Sequence, residues 1–377
     1  MTSVTVIPVA AAPPKGTGLM TTTRPILIVT ENENTLDDLL RLCAAAGAPA
    51  EVAPGVPTAE QWADAPLVLV GDDRALARQG RGWPGRRPGV LLIARDLDDH
   101  TVWARGMALG AEEVAHLPDA EPWLADRIAD AFEATGRPAL TIGVLGGRGG
   151  VGASALAGAL AVTAARQGHR TVLVDGDPLG GGLDVLLGGE RATGSRWPAF
   201  VTAQGRLSRA ALEESLPRVH GVSLLSWDRG SVLRLTGQAM RSVLTAAQRG
   251  GGLVVLDLPR TVDEAGAEAL AQLDLGLLVV PGELRAVAAA RRVAGTAGAL
   301  VRDLRVVARG PRLPGGLAGA ELGQVLGLPL AGELPEEPGL SQKIEEGRPP
   351  GDNASGPLAH FCAELLTHAL PAARAAA

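Results

Sequence analysis

The largest cluster of residues with recognisable chemistry is a glycine-rich stretch between an apolar run and an alanine-rich segment. It reads TIGVLGGRGGVGASALAGAL over residues 141–160. Glycine allows a backbone to approach a ligand closely and to adopt left-handed dihedral angles. Successive backbone N–H groups that lead into the first turn of a helix bind anions such as phosphate. The stretch therefore predicts a strand, a phosphate-binding loop and a helix.

The predicted loop carries a hydroxyl for a metal ion but no lysine for the phosphates. Loops of this form place a lysine beside the phosphates and a Ser or Thr hydroxyl on Mg²⁺. Ser154 supplies the hydroxyl, whereas Ala153 occupies the lysine position. The only lysines, Lys15 and Lys343, lie far from the loop along the chain, so we expect no lysine at the site. The predicted nucleotide-binding residues are Gly147, Arg148, Gly149, Gly150, Val151, Gly152, Ala153, Ser154 and Ala155.

Carboxylates at the ends of two later apolar runs could complete a metal site. The run TVLVDGD contains Asp175 and ends in Asp177, and the run GGLVVLD ends in Asp257. The carboxyl ends of parallel strands meet at one edge of a sheet, where ligands bind, and Mg²⁺ prefers oxygen ligands. We therefore predict metal ligands at Ser154, Asp177 and Asp257, with Asp177 as the catalytic candidate if the site is active. The alternative is that each aspartate only caps a strand.

Strands and helices that alternate along the chain must position these residues. Apolar runs in the second half predict strands at 140–145, 171–175, 222–226, 253–257, 275–280 and 304–308. Similar runs in the first half predict strands at 25–30, 66–71, 89–94 and 112–117, with helices at 35–46, 99–109 and 121–134. This alternation indicates an α/β protein with a doubly wound parallel sheet in each half.

The length of 377 residues is sufficient for two domains. We predict a disordered tail at 1–23, a first domain at 24–135, a linker at 136–140, a second domain at 141–370 and a tail at 371–377. The N-terminal segment contains prolines and lacks a basic start, so we do not interpret it as a signal peptide.

The composition excludes several classes of function. The chain is 46% hydrophobic and 20% charged, as in globular proteins, and its net charge of −6 disfavours nucleic acid and anionic membranes as partners. We therefore expect no specific nucleic-acid partner and no strong direct membrane binding. No apolar run approaches the ~20 residues that span a bilayer, so we expect a cytoplasmic protein. Cys43 and Cys362 lie in apolar helical stretches and are predicted to be buried thiols rather than metal ligands.

The first half resembles a response-regulator receiver domain. Receivers carry acidic residues after the first strand, an aspartate at the end of the third strand and a lysine after the fifth. Glu31, Asp72 and Asp73 occupy the acidic positions, whereas the sequence HLP at 116–118 offers no lysine. The resemblance therefore implies a pseudo-receiver used for docking; a phosphorylation-gated receiver is the alternative.

The order of motifs in the second half resembles the MinD/ParA family of deviant Walker-A ATPases, whose loop has the form K-G-G-x-G-K-[ST]. The signature lysine, which reaches across a dimer to the partner's nucleotide, corresponds to Arg148, and the P-loop lysine corresponds to Ala153. Asp177 corresponds to the switch-I aspartate and Asp257 to the Walker-B aspartate. Arg309 stands where the family places an adenine-reading asparagine. The resemblance implies a homodimer with ATP and Mg²⁺ as ligands.

A receiver-like domain joined to such an ATPase domain is similar to CpaE/TadZ. Segments 188–230 and 328–351 resemble its actinobacterial branch, the septum site-determining protein Ssd. This resemblance implies a scaffold that is recruited to a cell pole or septum, with a Tad pilus or secretion ATPase or cell-division proteins as partners. The missing lysines favour an ATP site that binds weakly or not at all and shows little or no hydrolysis. An active MinD/ParA-like ATPase that uses Arg148 is the alternative.

Two further segments have a structural and a functional interpretation. The segment 356–370 predicts an amphipathic helix whose polar face carries no lysine or arginine, which favours packing on the core over membrane binding. The segment 74–89 is rich in arginine and predicts a solvated loop or a contact with an acidic partner. Its arginines are Arg74, Arg78, Arg81, Arg86 and Arg87.

Overall fold

In the computed structural model the chain forms two compact units, which divide between Ile128 and Ala129. The structure describes residues 24–75, 83–96, 98–133, 138–202, 207–230, 234–310 and 315–370. The predicted tails at 1–23 and 371–377 and the first two residues of the predicted linker lie outside these residues. Among the described residues, no helix is both long enough and apolar enough to cross a membrane.

The first unit is built on a five-stranded parallel sheet with the strand order β2-β1-β3-β4-β5. The strands are β1 (Ile26–Val29), β2 (Ala50–Val52), β3 (Val68–Gly71), β4 (Val90–Ala94) and β5 (Glu113–His116). The helices are α1 (Glu33–Ala45), α2 (Ala59–Asp64), α3 (Asp72–Ala75), α4 (Val102–Leu109) and α5 (Glu121–Glu133). The four predicted strands are therefore confirmed.

The sequence patterns do not predict β2 and α2. Strand β2 has three half-buried residues, which is too short for an alternating pattern to appear. Helix α2 has six residues and is defined by its start, where the Thr58 side chain accepts from the backbone N–H of Gln61 and the Gln61 side chain accepts from the backbone N–H of Thr58. Such a capping box satisfies two backbone donors that would otherwise lack partners.

The second unit is built on an eight-stranded sheet with the order β13-β12-β11-β6-β10-β7-β9-β8. The strands are β6 (Leu140–Gly146), β7 (Thr171–Asp175), β8 (Arg218–Val219), β9 (Val222–Leu225), β10 (Leu253–Leu258), β11 (Leu275–Pro281), β12 (Leu304–Arg309) and β13 (Leu330–Leu334). All pairs are parallel except β8 with β9. The prediction of a doubly wound sheet is confirmed, and the six predicted strands form its centre.

The described helices of the second unit connect and cover these strands. They are α6 (Ala153–Arg166), α7 (Leu183–Leu186), α8 (Trp197–Val201), α9 (Arg209–Ser215), α10 (Gly237–Gln248), α11 (Glu264–Ala271), α12 (Leu284–Gly298), α13 (Gly319–Leu326), α14 (Leu340–Glu345) and α15 (Pro357–Ala369). The edge strands β8 and β13 are not predicted from the sequence, because β8 has two residues and β13 has only one buried residue.

The helix that follows the glycine-rich loop lies in the centre of the second unit. Helix α6 is buried without interruption from Leu156 to Ala164, because it packs on β6, β7 and β10 with one side and on α15 with the other. Its small side chains allow this close packing. Leu358, Cys362 and Leu366 of α15 belong to the same core cluster as α6, which confirms the prediction that 356–370 forms a core-packing helix. Both cysteines are buried, as predicted.

Candidate functional site

The glycine-rich loop joins the end of a central strand to the start of a central helix. Strand β6 ends at Gly146 and helix α6 begins at Ala153. The backbone is left-handed at Gly150 (φ 73°) and at Gly152 (φ 87°), a conformation that glycine adopts without steric cost. The N–H of Gly147 donates to the carbonyl of Val279 at 2.9 Å, which ties the loop to β11. The local geometry is therefore that of a phosphate-binding loop.

The predicted metal ligands come together beside this loop. Strands β7 and β10 are neighbours, and Asp175 is the register partner of Asp257. The hydroxyl of Ser154 hydrogen-bonds to the Asp257 carboxylate. Ser154, Asp177 and Asp257 line one cavity of about 260 Å³, which Ile344 of α14 also lines. The structure thus places all three predicted ligands at the carboxyl edge of the sheet, as the strand order requires.

These side chains fit a partly hydrated Mg²⁺ ion. Among the described residues, no three His, Cys, Asp or Glu side chains form a group that could hold a metal ion on their own. Mg²⁺ is usually bound by one or two carboxylates together with waters and phosphate oxygens. One hydroxyl and two carboxylates are therefore a suitable set of oxygen donors only if a phosphate ligand supplies further oxygens.

Burial sets the protonation of the two strand-end aspartates. Burial raises the pKa of Asp257 to about 7; the hydrogen bond from Ser154 lowers it, and the carboxylates of Asp175 and Asp177 raise it. Burial also raises the pKa of Asp175 to about 6, against three hydrogen bonds that lower it. These come from the backbone N–H groups of Leu183 (3.0 Å) and Asp177 (3.2 Å) and from the Ser226 hydroxyl (2.8 Å). Asp175 thus fixes the segment after β7 rather than offering free lone pairs to a metal.

The phosphate side of the loop forms a second cavity, of about 390 Å³, which we call the loop cavity. It is lined by the predicted residues Arg148, Gly149, Gly150, Val151, Gly152, Ala153, Ser154 and Ala155 and by Asp177 and Asp257. Gly147 lies beneath the loop instead, where an added Cβ would meet that of Ala290 at 2.9 Å. Arg148 donates to Glu283 at 2.9 Å within the same chain. Arg260 also lines this cavity and is absent from the sequence prediction.

Arg309 lies on the other side of the loop. Its Nη1 donates to the carbonyl oxygen of Val151 at 2.6 Å. It lines a cavity of about 210 Å³ together with Gly152, Pro335 and Glu336. The residue that replaces the expected asparagine is therefore bound to the loop itself.

The C-terminal segment lies closer to the site than its distance along the chain suggests. Leu340 and Ser341 line the same cavity as Arg309, and Ile344 lines the 260 Å³ cavity that Ser154, Asp177 and Asp257 share. The segment around Lys343 therefore reaches the site, because β13 returns the chain to the edge of the same sheet. The Lys343 ammonium group itself pairs with Glu337 at 2.9 Å.

Two of the acidic residues at the strand ends of the first unit, Asp73 and Glu31, are held by contacts within that unit. The Asp73 carboxylate accepts from the Thr30 hydroxyl at 2.8 Å and from the N–H of Glu31 at 2.7 Å. Glu31 pairs with Arg74 at 2.7 Å. Leu117, directly after β5, is buried. These contacts agree with a pseudo-receiver, in which no lysine follows the fifth strand.

The arginine-rich segment is only partly described. Arg74 pairs with Glu31, Arg86 donates to the carbonyl of Met107 at 2.9 Å, and Arg87 donates to the carbonyls of Trp62 and Pro88. Arg78 and Arg81 lie outside the described residues. The described arginines are therefore engaged within the first unit, and Arg86 stays exposed. The solvated loop and the contact with an acidic partner both stay predictions.

The fold and the site define a class of protein: a CheY-like domain followed by a P-loop domain of the MinD/ParA fold. A family model described as "Rv3660c-like, CheY-like N-terminal domain" matches residues 29–139. The protein Rv3660c of Mycobacterium tuberculosis (strain H37Rv) is 39% identical over 289 residues, which cover 76% of this chain and 81% of that protein. The chain belongs to the Rv3660c family.

More distant relatives and solved structures agree with the class of the second unit. The septum site-determining protein MinD of Nephroselmis olivacea is 28% identical over 213 residues, covering 55% of this chain and 77% of that protein. A ParA family ATPase from Chlorobium tepidum has a TM-score of 0.52 at 16% identity, covering 61% of this chain and 98% of its own. The MinC:MinD complex of Aquifex aeolicus gives 0.50 at 21% identity, covering 62% and 98%. The predicted receiver-like and MinD/ParA-like folds are thereby confirmed, while the CpaE/TadZ and Ssd assignments stay predictions.

Proposed function

We propose that the protein is a localisation scaffold of the CpaE/TadZ/Ssd type whose MinD/ParA-like site binds Mg²⁺-ATP weakly and hydrolyses it little or not at all. The proposal rests on a site that has the expected metal-side residues but lacks the expected phosphate-binding lysine. The metal side, with Ser154 bonded to Asp257 and Asp177 in the same cavity, is intact. Ala153 occupies the position at which the loop would carry its phosphate-binding lysine.

The two halves of the site affect binding and catalysis differently. Backbone N–H groups of the loop and a Mg²⁺ ion can hold phosphates in the ground state. Phosphoryl transfer additionally needs positive charge on the transferring group, and a loop lysine is one of its main sources. The loss of one such electrostatic donor costs about 2–4 kcal/mol of transition-state stabilisation, or roughly 30- to 1000-fold in rate. Ground-state binding therefore survives the loss better than turnover does.

The face that carries the loop also supports the proposal of a homodimer. Leu179, two residues after Asp177, is 82% exposed, and Leu284, next to Glu283, is 85% exposed. The half-exposed Arg148–Glu283 pair lies on the same face. Exposed large apolar side chains beside a charged pair are typical of a protein interface. We infer that two copies associate through this face without a requirement for ATP.

The partners follow from the relatives rather than from the site. The solved MinC:MinD complex pairs a MinD protein with a second cell-division protein. By analogy, the first unit would dock a cell-division protein or a Tad pilus or secretion ATPase at a cell pole or septum. The carboxylates of Asp73 and Glu31 are engaged by contacts within the unit, which supports docking rather than phosphoryl signalling.

Measurement of binding and turnover on the same preparation tests the proposed function. Calorimetric titration of the full chain with Mg²⁺-ATP is expected to show weak binding, and steady-state phosphate release is expected to match the buffer background. Turnover by the natural chain that disappears in Asp257→Ala would instead establish the active ATPase. The absence of any binding would remove the nucleotide site from the proposal.

A further inference from the structure

Arg260 stands at the edge of the loop cavity. Strand β10 ends at Leu258, and Pro259 and Arg260 follow it directly. Both residues line the loop cavity together with the glycine-rich loop. The Arg260 Nη2 atom lies 3.9 Å from the position that a Cβ on Gly149 would take. The guanidinium group therefore lies beside Gly149 and lines the same cavity as the loop.

The other cations close to the site are already engaged. Arg148 pairs with Glu283, Arg309 donates to Val151 on the opposite side of the loop, and Lys343 pairs with Glu337. Arg260 is exposed and forms no hydrogen bond or ion pair with any residue that the structure describes. Within the described part of the chain, its five N–H donors are therefore not committed to another residue.

The charge of the cavity shows why such a cation matters. Asp177 and Asp257 line the loop cavity, and Asp175 lies beside Asp257 in the sheet. Neutral Ala153 adds no positive charge to the loop. A polyphosphate would bring further negative charge to these carboxylates, and Mg²⁺ alone would offset only part of it. A guanidinium at the rim can donate two parallel hydrogen bonds to phosphate oxygens, which a compact ammonium cannot do.

We propose that Arg260 supplies the phosphate-binding positive charge that Ala153 removes from the loop, so that the cavity binds a nucleotide polyphosphate through a guanidinium at the end of β10. This inference rests on the proposed nucleotide site. It makes Arg260 a ligand-binding residue rather than a replacement for the catalytic lysine, because the guanidinium approaches from outside the loop.

Calorimetric titration of Mg²⁺-ATP into full-length variants tests the assignment. Arg260→Ala is expected to weaken binding about 10- to 100-fold, the range for a lost charged hydrogen bond, whereas Arg260→Lys keeps part of the affinity. Arg302→Ala is the matched control. Arg302 is also exposed, but it precedes β12 and so lies at the opposite edge of the parallel sheet. It should change the affinity less than twofold.

A rescue experiment makes the result specific. Ala153→Lys is expected to restore binding in the Arg260→Ala background and to add less in the natural background, because the two cations serve the same phosphates. If Arg260→Ala and the natural chain bind Mg²⁺-ATP with equal affinity, the assignment of Arg260 is overturned and the nucleotide site still stands. An equal loss in Arg302→Ala would overturn it as well, since the effect would then reflect net charge. No binding by the natural chain would overturn the nucleotide site and this inference together.

Discussion

At the scale of single residues, Asp257 shows how burial and function oppose each other. The carboxylate lies in the centre of the sheet, beside Asp175, and its pKa is raised to about 7. Near neutral pH it is therefore divided between a protonated form that suits the buried site and an ionised form that suits a metal ion. Acids with a pKa shifted in this way cluster at sites that bind a ligand or perform chemistry.

The pH dependence of stability follows from this pKa. The folded protein holds a proton on Asp257 that the unfolded chain, with a pKa of 3.8, has released. The contribution of Asp257 to the free energy of unfolding is therefore fully present below about pH 4, falls as the pH rises, and is lost once the pH passes 7. Asp257→Asn is neutral at every pH, so it should raise the free energy of unfolding by about 1–3 kcal/mol more at pH 8 than at pH 4, where the carboxyl is largely protonated in the folded chain and partly protonated in the unfolded one.

Urea unfolding at these two pH values measures the difference. The exposed Glu214→Gln is the control, since it also replaces a carboxylate by an amide. It should leave the free energy of unfolding unchanged at both. A lower free energy for Asp257→Asn at pH 8 would contradict the assignment of a buried, raised pKa.

At the scale of elements, helix α6 is bounded by two left-handed glycines with different surroundings. Gly152 (φ 87°) begins the helix and Gly168 (φ 86°) follows it. A Cβ on Gly152 would stand 2.0 Å from the Arg309 Nη1 atom, whereas a Cβ on Gly168 would meet nothing within 4 Å. At both positions a side chain would strain the left-handed backbone. Only at Gly152 would it also collide with Arg309.

Alanine substitution at both glycines separates these two effects. Gly168→Ala should lower the free energy of unfolding by about 1–2 kcal/mol, the cost of a left-handed alanine. Gly152→Ala should cost more and should also weaken Mg²⁺-ATP binding, because Arg309 must leave the loop. The double variant Gly152→Ala with Arg309→Ala should cost as much as Gly168→Ala and Arg309→Ala together in urea unfolding, because it removes the steric conflict and also the hydrogen bond from Arg309 to Val151. Equal costs for the two single variants would show that the Arg309 contact does not shape the loop.

The elements also show how far the sequence determines the site. Strand β6, the loop, helix α6 and the carboxylates at the ends of β7 and β10 are predictable, because each depends on a local pattern of apolar runs, glycines and strand-end aspartates. The position of Arg260 in the loop cavity and the hydrogen bond from Arg309 to Val151 are not, because neither follows from a local pattern: the sequence marks Arg309 only as the residue at the place of an asparagine. The segment around α14 is missed for the same reason: it reaches the site only through β13, whose residues are mostly exposed or half-buried.

At the scale of the whole molecule, two exposed apolar residues indicate where a second copy of the chain could bind. Leu179 and Leu284 follow two different strands of the same sheet, β7 and β11, and both remain largely exposed. A second copy that covers them would bury apolar surface and enclose Arg148 and Glu283. The association would then bring two loops to one interface.

Self-association provides the test at this scale. Sedimentation velocity without nucleotide should show a dimer for the natural chain and a monomer for Leu284→Glu, since a charge would enter a desolvated contact. Arg148→Ala should weaken the dimer. Met107→Glu, at an exposed apolar position on α4 of the first unit, is the control and should leave the dimer intact. A natural chain that is strictly monomeric, with and without nucleotide, would refute the homodimer.

The first unit is expected to have no phosphoryl-acceptor activity. Incubation with acetyl phosphate and Mg²⁺ should leave the intact mass unchanged, because Asp73 is held by Thr30 and Glu31 and no lysine follows β5. A stable gain of one phosphoryl group on Asp72 or Asp73 would favour the phosphorylation-gated receiver instead.

The burial of α6 between the sheet and α15 has a consequence for how the second unit is made. Helix α15 is synthesised after every other element of the unit, and about 200 residues separate it from the helix that it covers. Until it arrives, one apolar side of α6 stays open to water, with Cys362 among the groups still missing from the core. Contacts between such distant segments slow folding. The unit that carries the glycine-rich loop therefore completes its core late, and a nascent chain leaves one side of this buried helix uncovered until α15 has been made.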